Sequence, residues 1–466
     1  NVGVGTLAGA AVTTGIFNTL IGGLSGDALT VGQENVALGY LALTADTKGN
    51  HSVAIGPYAL QAQNFTSATD TFNTAVGYAA GNAVSTGTQS TFIGGLAGVA
   101  IEAAADNVAV GYLALSTEVG GQNNVAIGTR ALRDQTSGSG NIYNTAVGSN
   151  AGKSITSGVQ NTLIGGDCGD ALTDADFNVA VGVSALGTDR KGNLSVAIGH
   201  AALSAQDFSS PTNSLNVAVG PQAGASVTTG ISNTLIGSEC GDVLTDADDN
   251  VAVGRLALSA DTLGAGSTAI GRGALKTQNL TSSAYSFNTA VGYSAGELVT
   301  TGTSNVIIGA IAGDSITSGA ANTVVGVHSL GLNQTGAGNT SVGNQALFNS
   351  TTANITAVGH NALFHSTTAT ANVAVGYQAG MFVTTGSTST FLGYQAGQGI
   401  TGAKLTGADN VAVGKGAGLL LQGGAANNTC VGTIAGNAIT TGNSNTIIGK
   451  QAGTGGTPLT TGDSNT

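Results

Sequence analysis

Asp170, Asp174 and Asp176 fall within one short stretch, and Asp242, Asp246 and Asp248 repeat the same spacing further on. Grouped carboxylates present the hard oxygen ligands that calcium takes. Their spacing fits neither an EF-hand loop nor the glycine-rich calcium nonapeptide, so they read as solvated acidic turns and no metal site is assigned. The five histidines, His51, His200, His328, His360 and His365, show no recognised ligand spacing. Gly3-Val-Gly5-Thr-Leu-Ala8 matches a dinucleotide fingerprint, but it opens no helix and has many siblings along the chain. A nucleophile-elbow phrase is missing as well. The residues therefore point to no catalytic group and no cofactor, and the chain reads as something other than an enzyme.

Cys168, Cys240 and Cys430 are too few and too far apart for a disulfide framework. Cys168 and Cys240 stand where most copies of a repeat have alanine, which suggests small buried thiols. Aromatic residues in the longest turns are the remaining candidates: Phe65, Tyr143, Phe208 and Tyr285 are possible contact points for a receptor or glycan. Such residues more commonly fold back over the coil beneath, above all Phe72, Tyr143 and Phe287, which immediately precede a strand.

All of these residues hang on one repeating unit. A nine-residue phrase recurs twenty-six times, with the spine Asn/Ser, Val/Thr, small or apolar, Val/Ile, Gly, x, x, Ala, Gly/Leu, and most copies begin seventeen residues after the last. So short a unit cannot bury a core alone and must stack on its neighbours, which predicts an all-β parallel β-solenoid of about 26 coils. Residues 1–466 read as one continuous repeat region. Larger sets of about 72 residues cover 1–72, 73–143, 144–215, 216–287 and 288–354, with irregular repeats over 355–466. At the ~4.8 Å spacing of neighbouring strands, twenty-six coils would make a rod of roughly 120 Å. Asn1 opens a repeat in register and Asn465-Thr466 opens another, so the segment reads as a piece of a longer chain.

Within the coil, glycine at the fifth place suits a turn with φ > 0. The Asn or Ser at the first place is expected to stack on the next coil's side chain as a hydrogen-bonding ladder. The ninth and twelfth places trade roles: Leu43 goes with Asp46 and Leu60 with Gln63, whereas Gly9 goes with Val12 and Gly98 with Ile101. One aliphatic group is supplied either way, from a Leu corner or from a glycine turn leading into a second short strand. The last unit, with Gly453 and Gly456, shifts that role to Leu459.

The strand's β-branched second and fourth places are expected to point inward, leaving the third place outside. That place is apolar nearly throughout, with Leu20, Phe92, Leu163, Leu235, Ile307, Phe391 and Ile447 the largest examples. An apolar stripe along the rod exceeds what a soluble monomer exposes, so these residues are predicted to form a seam between chains packed side by side.

Composition narrows the partners. The net charge is −12 with only 12 Lys and Arg, which leaves no basic patch for nucleic acid or an anionic membrane. No apolar run is long enough to span a bilayer as a helix.

Phrases such as Ser52-Val-Ala-Ile-Gly56, Asn124-Val-Ala-Ile-Gly128 and Ser195-Val-Ala-Ile-Gly199 resemble the head repeats of trimeric autotransporter adhesins. Asn372-Val-Ala-Val-Gly-Tyr-Gln-Ala-Gly380 and Phe391-Leu-Gly-Tyr-Gln-Ala-Gly397 are equally similar to repeats of phage tail fibres that end in a self-cleaving chaperone domain. The first resemblance implies a left-handed parallel β-roll with three chains about one axis. The coils are longer than is usual for adhesin heads, and the segment holds no heptad stalk, anchor or chaperone. The expectation is a structural and binding protein, the shaft or head of an extracellular trimeric fibre on a bacterial surface or a virion, working in attachment through a receptor or glycan. A self-assembling filament of end-to-end subunits is the alternative, and an ice-binding solenoid ranks below both, because Thr concentrates in loops such as Val12-Thr-Thr-Gly15.

Overall fold

The computed structural model describes residues 1–454 and 460–465. It falls into two compact units, Asn1–Ser232 and Asn233–Thr466. The division lies one coil into the set 216–287. Each unit is a parallel β-solenoid of thirteen coils, and no helix occurs among the described residues. Every copy of the phrase supplies one three-residue strand, such as Val108–Val110, which pairs in parallel and without slippage with Val125–Ile127 of the next coil. Hydrogen bonds between coils continue outside the strands, for example from the Leu24 N–H to the Thr6 carbonyl (2.8 Å) and from the Glu34 N–H to the Ile16 carbonyl (3.0 Å). The coil therefore satisfies its backbone along the stacking direction at several points of its circumference.

Positive φ bends the chain at fixed places. In the coil opened by Asn107 the fifth-place Gly111 has φ 133°, and the seventh and ninth places, Leu113 and Leu115, have φ 58° and 50°. A left-handed leucine costs roughly 1–2 kcal/mol. The bonds between coils offset that strain and explain why the ninth place accepts either Gly or Leu.

The first-place ladder forms as expected. The Asn18 carboxamide oxygen accepts the N–H of Asn35 (3.0 Å), while its amide donates to the Gly32 carbonyl (2.8 Å). The same pair of bonds recurs at Asn161, Asn305 and Asn428. Twelfth-place aliphatics such as Leu29, Ile101 and Ile155 are buried, and so are Leu43 and Leu60 at the ninth place. The segment from the ninth to the twelfth place is a turn, however, and not a second strand. Gly456 and Leu459 lie outside the described residues.

The predicted seam is overturned. Leu20, Phe92, Leu163, Leu235, Ile307, Phe391 and Ile447 all point into their own coil, the first six at 0–1% exposure and Ile447 at 5%. The strand faces are exchanged: the third place is inside, and the second and fourth places face out, as at Val36, Ala37 and Leu38. The cause is the width of the interior. Third- and eighth-place side chains meet inside the narrow coil, where alanine on both usually fills the space. A third residue as large as Leu, Ile or Phe fits only where glycine stands at the ninth place of its own coil and of the coil before, as Phe92 does between Gly81 and Gly98. A Cβ on Gly98 would come within 2.3 Å of the Phe92 ring.

Candidate functional site

The outward face of the main strands is the most extensive candidate surface. Its second-place column is Thr or Val in all twenty-six copies, and its fourth-place column is Val, Ile or Leu. No charged residue enters either column. Leu38, Ile93, Ile127, Ile164 and Ile198 in the first unit are each close to 40% exposed, as are Ile236, Ile270 and Ile308 in the second. With each coil offering on the order of 100 Å², thirteen coils expose on the order of 1,000 Å², above the roughly 300–600 Å² of the largest patch on a typical monomer.

The long turns rest on buried polar networks that the sequence reading did not find. Asp46, at the twelfth place of the third coil in its set, is fully buried. One carboxylate oxygen accepts the N–H of Gly49 (2.9 Å) and Lys48 (3.2 Å), and the other accepts the Gln63 amide (2.7 Å). Gln63 also donates to Ser52 Oγ (2.7 Å) and accepts from the Asn73 amide (2.9 Å). Asp189 with Gln206, Asp261 with Gln278, and Glu118 with Gln135 repeat the pairing. A buried carboxylate is sustained only by such donors. The signal was legible as an acidic residue at one twelfth place followed by Gln at the next.

The turn aromatics separate into two groups. Phe65 and Phe208 are buried, at 7% and 5% exposure, and are not available for contact. Their N–H groups reach Asp46 and Asp189 at 3.4 and 3.3 Å, which draws both residues inward onto the network. Tyr143 and Tyr285 are exposed. Phe72, Tyr143 and Phe287 are each more than half exposed, so none is buried against the coil beneath, although Phe72 lies over His51 at that coil's last place. Phe72 stacks on His51 and Phe287 on Tyr285, with ring centroids 5.2 and 5.3 Å apart. These residues sit at the coil's last place, where positive φ (49–59°) aims the side chain outward.

Most carboxylates of the acidic turns carry internal partners, Asp242 Oδ1 being buried without one. Asp170 pairs with Lys153 at 2.9 Å and Asp174 with Lys191 at 3.7 Å, and Asp176 accepts the Val159 N–H at 2.8 Å. Asp246 and Asp248 are engaged as well. Among the described residues no group of three or more His, Cys, Asp or Glu side chains converges where a metal would sit. His51 lies between Glu34 and Asp70, 3.4 Å from each. His365 stacks on Phe382, and burial together with Lys404 holds its pKa below the ordinary value.

Cys168 and Cys240 are buried, and their thiols donate to the carbonyls of Ala180 and Ala252. Burial pushes both from the ordinary 9.0 up to about 12. A thiol that ionises near 9 when unfolded and near 12 when folded adds stability that is intact below pH 9 and is lost as the pH climbs toward 12. The melting temperature is therefore expected to fall between about pH 9 and 12, and a Cys168→Ala, Cys240→Ala double variant should show a smaller fall in the same scan.

No helix among the described residues is long and apolar enough to cross a membrane. No protein-family model matches the chain, and no curated protein matches it in sequence.

Proposed function

We propose that this chain is a structural and binding protein: the shaft or head of an extracellular trimeric fibre that mediates attachment, with copies packed side by side. The β-solenoid itself supports a structural repeat protein. The observation that carries the finer reading is the uncharged, apolar outer face of the main sheet, whose fourth-place Val, Ile and Leu run without interruption. That area matches the roughly 800 Å² per partner of a stable interface. Straight columns of β-branched residues are also self-complementary, as packing about a rotation axis requires. The resemblance to adhesin heads and tail fibres supports both the number three and the extracellular setting.

Sedimentation of the purified chain tests the reading, with a trimer as the expected species. Replacing Ile93 and Ile127 by Asp puts charge on the outer face and leaves the interior residues Phe92 and Ala126 untouched. The double variant should sediment as a folded monomer. A wild-type chain that stays monomeric at high concentration would end the proposal.

One feature favours a second reading. The second-place threonines Thr19, Thr74, Thr91, Thr145 and Thr162 face outward, and their hydroxyls have no protein partner. Threonines paired at strand spacing, Thr74 with Thr91 and Thr145 with Thr162, present hydroxyl and methyl groups that can also order water as ice does. Inhibition of ice recrystallisation by a monomeric chain would select that reading.

A further inference from the structure

A second surface, around the fifth-place glycine corner from the outer sheet face, distinguishes the N-terminal half of the first unit. Over the six coils opened by Asn18, Asn35, Ser52, Asn73, Ser90 and Asn107, the sixth and seventh places are Gly-Leu, Tyr-Leu, Pro-Tyr, Tyr-Ala, Gly-Leu and Tyr-Leu. None is charged. Beyond this run the same places take Arg130, Asp167 and His200. Tyr40, Tyr78 and Tyr112 are each about half exposed, at 50%, 57% and 51%.

The tyrosines do not cover one another. Tyr58 meets Tyr40 and Tyr78 edge to face, with interplanar angles of 86° and 79° and centroids 5.7 Å apart in both pairs. Gly23 and Gly95, in the coils before Tyr40 and Tyr112, leave the space beside those rings free of a side chain. The second unit offers a contrast. There Tyr377 and Tyr394 lie nearly parallel, at 13°, with His360 stacked on one and Lys415 over the other, so that row is satisfied internally.

Polar residues stand beside the tyrosines at the tenth place of the first four of these coils, Asp27, Thr44, Gln61 and Asn82. Thr44 Oγ1 donates to the Asp27 carboxylate, and the Asn82 amide donates to Gln61 Oε1 (2.9 Å) and to the Tyr58 carbonyl (3.1 Å). These groups are held in place before any ligand arrives, which lowers the entropy cost of binding.

We propose that this strip, built on Tyr40, Tyr58, Tyr78 and Tyr112 and flanked by Gln61 and Asn82, binds a linear neutral glycan lying along the solenoid. The inference rests on the attachment reading and names the ligand class. Aromatic rings stack on the C–H faces of pyranose rings, while phenol and carboxamide groups bond their hydroxyls, and the uncharged tyrosine row excludes a polyanion as the preferred ligand. Tyr40 and Tyr112 are four coils apart, about 19 Å at strand spacing. Tyr40, Tyr78 and Tyr112 recur at the sixth place of every second coil, a regular step that suits a polymer of regular step better than an irregular protein surface.

Titration calorimetry with cellohexaose, chitohexaose and mannohexaose is the test, run on the full chain with a heparin hexasaccharide alongside. Saturable binding of at least one neutral hexasaccharide is expected, weakened at least tenfold in Tyr78→Ala and in Tyr112→Ala and unchanged in Tyr394→Ala. Failure of all three to bind, preference for heparin, or equal binding by the tyrosine variants overturns the proposal. Sedimentation of the same variants separates the two readings: an assembled chain that binds no glycan defeats the glycan site alone, and a monomer that binds glycan defeats the trimer alone. Loss of assembly in Tyr78→Ala would assign the strip to contact between copies and overturn the glycan site.

Discussion

Gly111→Ala is expected to cost roughly 3 kcal/mol or more of stability in the first unit. The backbone at Gly111 has φ 133°, a region that L side chains rarely adopt. An added Cβ would lie 2.5 Å from the Gly128 carbonyl oxygen and 2.6 Å from its carbon. Those atoms belong to the next coil's own fifth-place corner, which is fixed in turn by the coil after it, so no flexible side-chain end is available to move aside. Because each coil contacts only its neighbours, the damage should be local: hydrogen exchange should quicken around residues 108–130 before the rest of the unit responds. Gly166→Ala is the control. Nothing lies within 4 Å of the added atom there, and its φ is not in the positive region. Its melting temperature should stay close to that of the parent, within about 0.5 kcal/mol in stability. An equal loss in both variants would mean that glycine content, and not the corner, sets stability.

The corner was legible in the sequence because it is invariant in every copy, and so was the stacking of short units. What could not be read from one coil was which strand face is inside. β-branched residues at the second and fourth places suit a buried face and an exposed sheet face equally well, since both favour them. Comparison between coils carried the answer. Leu20, Phe92, Leu163, Leu235, Ile307, Phe391 and Ile447 occur only where two successive coils have glycine at the ninth place, whereas coils with Leu at the ninth place carry Ala, Ser or Val at the third. Volume traded between two places means that both look into the same space. The apolar third-place stripe is thus covered by its own coil and not by a second chain. Its outer counterpart is the fourth-place column, Leu38 through Ile198 in the first unit.

The long turns resisted reading for a different reason. Phe65 and Tyr143 lie in turns of similar length, yet one is buried and the other exposed. Position relative to the strand decides between them. Phe65 is two residues past Gln63 and is drawn onto the Asp46 carboxylate, while Tyr143 occupies the left-handed place immediately before Asn144. Neither consequence follows from side-chain type. The burial of Phe65 follows from the twelfth-place acid and amide, which become visible as a pair only when the coils are aligned in sets of four, and the exposure of Tyr143 follows from the left-handed backbone of its place.

The asparagine ladder gives the second large expected effect. Asn161 is fully buried, its amide donates to the Ala175 carbonyl (2.8 Å), and its oxygen accepts the N–H of Asn178 (3.0 Å). Asn161→Leu has nearly the same volume but would leave a buried carbonyl and a buried N–H without partners. At roughly 1–3 kcal/mol for each, the loss is about 4 kcal/mol, read as a lower denaturant midpoint with an unchanged slope. Serine is the informative comparison because the chain already uses it. Ser90 and Ser389 stand at the first place and accept the N–H of the next coil's Asn107 and Asn410, at 3.2 and 3.1 Å. Asn161→Ser should therefore keep one bond of the two and lose roughly half as much as the leucine variant. If leucine and serine destabilise equally, the ladder contributes packing volume and not hydrogen bonds. If leucine is tolerated, the first place has no part in holding one coil on the next, and the solenoid is carried by its apolar interior alone.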